Sequence, residues 1–193
     1  HPPHRPRRAC LPEQQRTAPA GATQPSRVRT PDAHARTPGT AARTHLLHGS
    51  EPILMHLVLV GLSHKTAPVA IREKLTFPAP VQPDALARLT AIDGIREAVI
   101  VSTCNRTELY VVASSEDGGV DSVMTFLAEY HELDRHELAR YLYVITGDAV
   151  VRHLFRVAAS LDSMVLGEQQ ILGQVKEAYG LASACQCAGA YMS

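Results

Sequence analysis

The 193-residue sequence predicts an α+β fold in which helices cover an antiparallel sheet and further helices follow at the C-terminal end. Three observations carry the prediction. Residues 57–62, 97–101, 108–113 and 142–145 are apolar runs of strand length. The second and third are separated only by a short polar break, which implies a hairpin. Before the second run and after the third, apolar residues recur at helical spacing. The order β-α-β-β-α-β is that of a ferredoxin-like split βαβ sandwich.

Each element has its own justification. Residues 57–62 form a continuous apolar strand that stops at Ser63-His64-Lys65-Thr66. Pro68 suits the first turn of a helix in which Ile71 and Leu75 lie four apart on one face. Pro78, Pro80 and Pro83 make a stiff connection, and Asp84 is expected to cap a second helix carrying Ala85, Leu86 and Leu89 as far as Gly94. After the hairpin, Asp117-Gly118-Gly119 ends the third strand, and Val123, Phe126, Leu127 and Tyr130 mark a helix. Beyond the fourth strand the pattern is wholly helical. Asp148 is expected to cap a helix carrying Val151, Leu154, Phe155 and Ala158, which breaks near Ala159-Ser160. A longer helix follows from about Gly167, with Ile171, Leu172, Val175 and Tyr179 as its apolar stripe. Periodicity fades at 183–189, so 181–193 reads as a divergent, frayed tail.

Residues 1–54 read differently. They hold nine of the thirteen Pro, and eight Arg against Glu13, Asp32 and Glu51, a composition that no packed core tolerates. The segment reads as disordered. It lacks the apolar core of a secretory signal, and its Arg richness resembles an organelle transit peptide although Ser is scarce. The chain starts at His1 and the first Met is Met55, so translated upstream sequence is an equal expectation. Overall the formal charge is zero, which argues against a dedicated nucleic-acid protein. Cysteines at 10, 104, 185 and 187 form no C-x-x-C pair and no disulfide framework, so a reducing, cytoplasmic setting fits best. The C-x-C of Cys185 and Cys187 supplies too few donors for a metal. No apolar run is long enough to cross a bilayer, and no membrane partner is expected.

The polar break Ser102-Thr103-Cys104-Asn105-Arg106-Thr107-Glu108 is the candidate site. A strand that stops there sets Cys104 at a sheet rim among a hydroxyl, an amide and a guanidinium. A cation two residues away favours the thiolate that attacks a carbonyl. From spacing alone, a lone Cys beside a β-branched run also reads as a buried core residue.

Three stretches together resemble the glutamyl-tRNA reductase family: residues 61–68, GLSHKTAP; residues 102–108, STCNRTE; and HLFRVA from His153 running on to LDSMVLGEQQILGQVK, residues 161–176. The resemblance covers about residues 55–180, the family's N-terminal catalytic domain, and fails over the leader and the last dozen residues. It implies an NADPH-dependent enzyme of tetrapyrrole synthesis that forms a thioester with the glutamate of glutamyl-tRNA and reduces it to glutamate-1-semialdehyde. Cys104 would be the nucleophile and His153 the catalytic histidine, handling the proton of the thiol or of the leaving ribose hydroxyl. Thr103, Asn105, Arg106, Ser163, Glu168, Gln169, Gln170 and Gln174 match the family's substrate contacts. Arg106 suits a carboxylate with its planar fork. His64 reads as a solvated loop residue and stays outside the catalytic set. Implied partners of a full-length member are a second copy, forming a homodimer, and glutamate-1-semialdehyde aminotransferase.

Two departures stand out. Ala159-Ser160 replaces the family's usual Ser-Gly at the helix break. After Lys176 the family continues into nucleotide-binding and dimerisation domains, and no G-x-G-x-x-G occurs in these 193 residues. The chain is therefore expected to be a truncated catalytic domain that does not reduce its thioester alone. Two other readings stay open: a thiol esterase releasing glutamate from glutamyl-tRNA, and a non-catalytic RNA-binding ferredoxin-like module, which the 5% aromatic content and the lack of basic interleaving disfavour.

Overall fold

The computed structural model describes residues 54–162 and 170–193; residues 1–53 of the leader, and with them Cys10, as well as Ser163, Glu168 and Gln169, lie outside the described residues. The elements are β1 (His56–Ser63), α1 (Val69–Lys74), α2 (Gln82–Thr90), β2 (Ile95–Ser102), β3 (Arg106–Ala113), α3 (Glu116–Tyr130), α4 (Arg135–Ala139), β4 (Tyr143–Thr146), α5 (Asp148–Ala158) and α6 (Gln170–Ala184). The strands form one antiparallel sheet in the order β2-β3-β1-β4, the ferredoxin-like arrangement that the sequence predicts.

Antiparallel register decides which side chains share a face. Leu59 opposes both Tyr110 and Ile145, and Gly61 opposes both Glu108 and Tyr143. Arg106, Glu108 and Tyr110 therefore lie on the sheet face that α5 and α6 approach. The alternate residues Val58, Val60, Leu62, Ile100, Leu109 and Val111 form the opposite face with Leu86 and Leu89 of α2 and Val123 and Leu127 of α3, all buried.

Several element ends differ from the sequence reading. Helix α2 starts at Gln82 with Val81 as N-cap, so Asp84 sits inside the first turn rather than capping it. Pro83 belongs to that turn, where its missing N–H costs nothing. Gly147 is the N-cap of α5, and Asp148 is the first helical residue. The short helix α4, capped by Asp134, was not expected.

The tail is ordered against the sheet and is not frayed. Helix α6 ends in a turn in which Cys187 N–H donates to Ala182 O at 2.8 Å, with Gln186 at φ 58°. This reversal carries Cys187 O to the open edge of β2, where Ala98 N–H donates to it at 2.7 Å. A one-residue bulge between Ile95 and Glu97 turns the Glu97 carboxylate inward, and it accepts the amides of Tyr191 (3.0 Å) and Met192 (3.1 Å). Pairing the edge removes an exposed template for aggregation.

Candidate active site

The loop between β2 and β3 is a tight hairpin whose backbone is tied down on three sides. Thr103 N–H donates to Arg106 O at 2.8 Å, and the Thr103 hydroxyl accepts the amides of Asn105 and Arg106, both at 3.2 Å. His64 N–H donates to Asn105 O at 2.8 Å, joining the tip to the loop after β1. The Arg72 guanidinium donates to Cys104 O and Ala67 O, and the Ser102 hydroxyl accepts Phe77 N–H at 2.9 Å. With its backbone so held, Cys104 presents a free, exposed thiol.

Behind the tip lies a buried polar centre. Glu108 is fully buried, and four groups meet its carboxylate: Arg106 Nη1 (2.8 Å), His153 Nε2 (2.7 Å) and the Tyr143 hydroxyl at Oε1, and the Tyr110 hydroxyl at Oε2 (2.7 Å). The glycine at 61 makes this possible. A Cβ there would stand 2.9 Å from Glu108 Cγ and 2.8 Å from Thr107 O, so only glycine lets the Glu108 side chain cross β1 towards β4 and α5. Burial pushes the Glu108 carboxyl up, but the His153 hydrogen bond, the Arg106 charge and the Tyr143 hydroxyl outweigh it and hold the group below its ordinary value. Burial and the Glu108 charge raise the phenols of Tyr110 and Tyr143, so both stay protonated donors.

Arg106 links this centre to the rim. It is 3% exposed; its second arm, Nη2, donates to Asp162 O at 2.7 Å. Both arms of the fork expected for a substrate carboxylate are thus engaged within the domain. Asp162 is delivered by the end of α5, where Leu161 N–H reaches Arg156 O and Ser160 N–H reaches Val157 O. Ser160 there has φ 59°, the left-handed backbone that a glycine would take most easily. The Asp162 carboxylate binds Lys65 (2.7 Å) and Arg156 (3.3 Å); the Lys65 hydrogen bond leads the effects that hold its pKa down.

Thr103, Cys104, Asn105, Arg106, Gln170 and Gln174 converge on one narrow cleft of about 40 Å³. Cys104, Thr103 and Gln174 also line a wider cavity of about 490 Å³ with Phe77, Gln82 and Glu177. His153 lies elsewhere, in a neighbouring cavity of about 220 Å³ shared with Arg106, Lys65, Tyr143 and Asp162. Arg106 is the residue common to the cleft and to the His153 cavity.

The sequence reading missed two groups. The first is Glu108: its period-two spacing with Arg106 and Tyr110 on one strand places all three on one face, and that was the available signal. The second is His64, which is half-buried rather than fully solvated. Its Nδ1 is buried without a hydrogen-bond partner among the described residues. Burial, then Arg106, Lys65 and Arg72, lower its pKa. Among the described residues no group of three or more His, Cys, Asp or Glu could hold a metal ion, and no helix is long and apolar enough to cross a membrane.

Fold and site together define a ferredoxin-like domain with a hairpin-tip thiol backed by a buried Arg-Glu-His centre. The family model for the N-terminal domain of glutamyl-tRNAGlu reductase matches residues 60–193. The chain belongs to the glutamyl-tRNA reductase family. It is 50% identical over 135 residues to the glutamyl-tRNA reductase of Syntrophotalea carbinolica, covering 70% of this chain and 30% of that one. With the Geobacter sulfurreducens protein it is 53% identical over 135 residues, 70% of this chain and 31% of that one. The solved structure of glutamyl-tRNA reductase from Methanopyrus kandleri superimposes with a TM-score of 0.57 at 33% identity, covering 69% of this chain and 29% of that one. The chain thus spans about 30% of the length of the curated relatives it matches. The family match runs through the tail, beyond the point near residue 180 where the sequence resemblance is expected to end.

Proposed function

We propose that this domain performs the acyl-transfer half of the glutamyl-tRNA reductase reaction. The Cys104 sulfur attacks the ester carbonyl joining glutamate to its tRNA. An S–C bond forms, the C–O bond to the ribose breaks, and the tRNA leaves with a protonated hydroxyl while the thiol loses its proton. The observation that carries this reading is the exposed Cys104 thiol on a fixed hairpin tip, facing a cleft lined by Thr103, Asn105, Arg106, Gln170 and Gln174. Amide and hydroxyl groups can read the amino and carboxylate groups of glutamate, and Arg106 supplies positive charge at the floor. On this reading Ser163, Glu168 and Gln169 complete the contacts, and His153 handles the proton.

NADPH supplies hydride in the reduction that the family name implies. The described residues do not fit it: none builds a strand, Gly-rich turn and helix that would present amides to a diphosphate. The chemistry they support ends at the thioester, and these 193 residues alone are expected to make no semialdehyde.

The test is mass spectrometry of the chain after exposure to glutamyl-tRNA. A glutamyl adduct on Cys104, lost in Cys104→Ser, is expected. An adduct kept at the wild-type level by the Ser variant overturns the assignment. Steady release of glutamate without an adduct would favour the esterase reading, and NADPH oxidation coupled to semialdehyde would show that the hydride site lies within this chain.

A further inference from the structure

We infer that Glu108 is the positioning residue for His153: it grips the imidazole by Nε2–H, so that Nδ1 is the nitrogen left with the lone pair that can exchange a proton. The inference rests on the acyl-transfer reading of Cys104 given above. Its basis is the donor count at one carboxylate. An ionised carboxylate only accepts. Arg106 Nη1, His153 Nε2 and the Tyr143 hydroxyl meet at Oε1, and the Tyr110 hydroxyl meets Oε2. A guanidinium has hydrogens only to give. The centre is therefore satisfied by four donors around one anion, and the His153 nitrogen facing it must carry hydrogen. In a neutral imidazole the other nitrogen then holds the lone pair.

The arrangement also fixes the ring in space. His153 packs beside the Tyr143 ring at 5.7 Å between centroids, and that tyrosine bonds the same carboxylate oxygen. Gly61 clears the path for Glu108 across β1. One carboxylate thus sets both Arg106, which lines the Cys104 cleft, and His153, which lines the adjoining cavity. A carboxylate that orients a histidine and sets its tautomer is a known device in metal sites and hydrolases, where its loss costs activity without removing the histidine.

Glu108→Gln keeps the side-chain shape and removes the charge. The full 193-residue chain is used, in two measurements. Isotope-edited nitrogen NMR of histidine-labelled wild-type protein, with the His153 signals assigned through His153→Asn, should show hydrogen on Nε2 in a far-downfield, strongly hydrogen-bonded signal and a bare Nδ1. In folded Glu108→Gln that downfield signal should move upfield, and the maximal rate of glutamyl-adduct formation should fall about 10- to 100-fold, with Cys104 alkylation by iodoacetamide within threefold of wild type. Hydrogen on Nδ1 in the wild type, or no downfield Nε2–H signal, overturns the inference, and this result stands even where the variant does not fold. A folded Glu108→Gln protein that acylates at the wild-type rate overturns it as well. If wild-type Cys104 takes up no glutamyl group, the acyl-transfer reading fails, and the NMR result still decides what Glu108 does to His153.

Discussion

Glu108, fully buried, and His131, half-buried, are two titratable groups on opposite sides of the same sheet, and their surroundings treat them in opposite ways. Glu108 has four hydrogen-bond donors and an Arg106 counter-charge. His131 packs edge-on against Phe77 at 4.7 Å between ring centroids and near Tyr130 at 5.1 Å, in a cluster that includes Phe126. Its Nε2 is buried with no hydrogen-bond partner among the described residues. Burial pulls the His131 pKa down to about 4, because the only effect acting on it is the cost of charging a ring in apolar surroundings. The same cost acts on Glu108, and there it is overcome. A buried ionisable group given a full set of partners holds other groups in place. One given none behaves as an aromatic wedge.

The contrast can be broken from either side. The largest effect is expected from Glu108→Leu, which leaves the Arg106 guanidinium buried beside two phenols and a histidine without an anion. Removing one partner of a buried pair costs about 3–5 kcal/mol, and urea unfolding should show a loss of that size. A loss below about 1 kcal/mol would mean that water reaches Arg106, and that the centre is less closed than its 3% and 0% exposures indicate. Next comes Gly61→Ala. Its Cβ would meet Thr107 O at 2.8 Å and Glu108 Cγ at 2.9 Å, and the backbone oxygen cannot yield cheaply. A destabilisation of about 1–3 kcal/mol is expected, together with a change in the His153 NMR signals as Glu108 is displaced.

The smallest effect sharpens the His131 side. Its folded pKa of about 4 lies below the ordinary 6.5, so between these values the unfolded chain binds more protons than the folded one. Stability is full above about 6.5 and falls as pH drops towards 4. His64, lowered for its own reasons, adds to the same slope. Glu108 contributes in a lower window: its stabilisation is present above its ordinary value of 4.5 and is lost as pH falls below that. His131→Phe should therefore flatten the melting temperature against pH between about 6.5 and 4.5 and leave the steeper loss at lower pH. An unchanged slope in the variant would place the acid sensitivity on His64.

Helix ends show why some elements were legible in the sequence and others were not. The helices α3, α5 and α6 all close with a residue in the left-handed region: Glu132 at φ 55°, Ser160 at 59° and Gln186 at 58°. None is glycine, so the strongest local stop signal is missing at each. At α6 this turned an ordered return of the chain into an apparent loss of pattern. The contacts that hold the tail, Cys187 O to Ala98 N–H and the Tyr191 and Met192 amides to Glu97, are long-range and leave no periodic trace.

The strand order, every helix but α4, the hairpin and the place of Cys104 at its tip were legible in the residues alone, because periodicity and polar breaks are local and follow from side-chain alternation along the backbone. The sequence also placed Thr103, Asn105, Arg106, Gln170 and Gln174 in one candidate site through the family's motifs. What Arg106 and His153 touch depends on the folded chain. Both turn to Glu108, because strand register sets Gly61 between Glu108 and Tyr143 and the end of α5 brings Asp162 O to the other arm of the guanidinium. A buried charge is stable only where partners from distant segments converge on it, and that convergence exists only once the chain has folded.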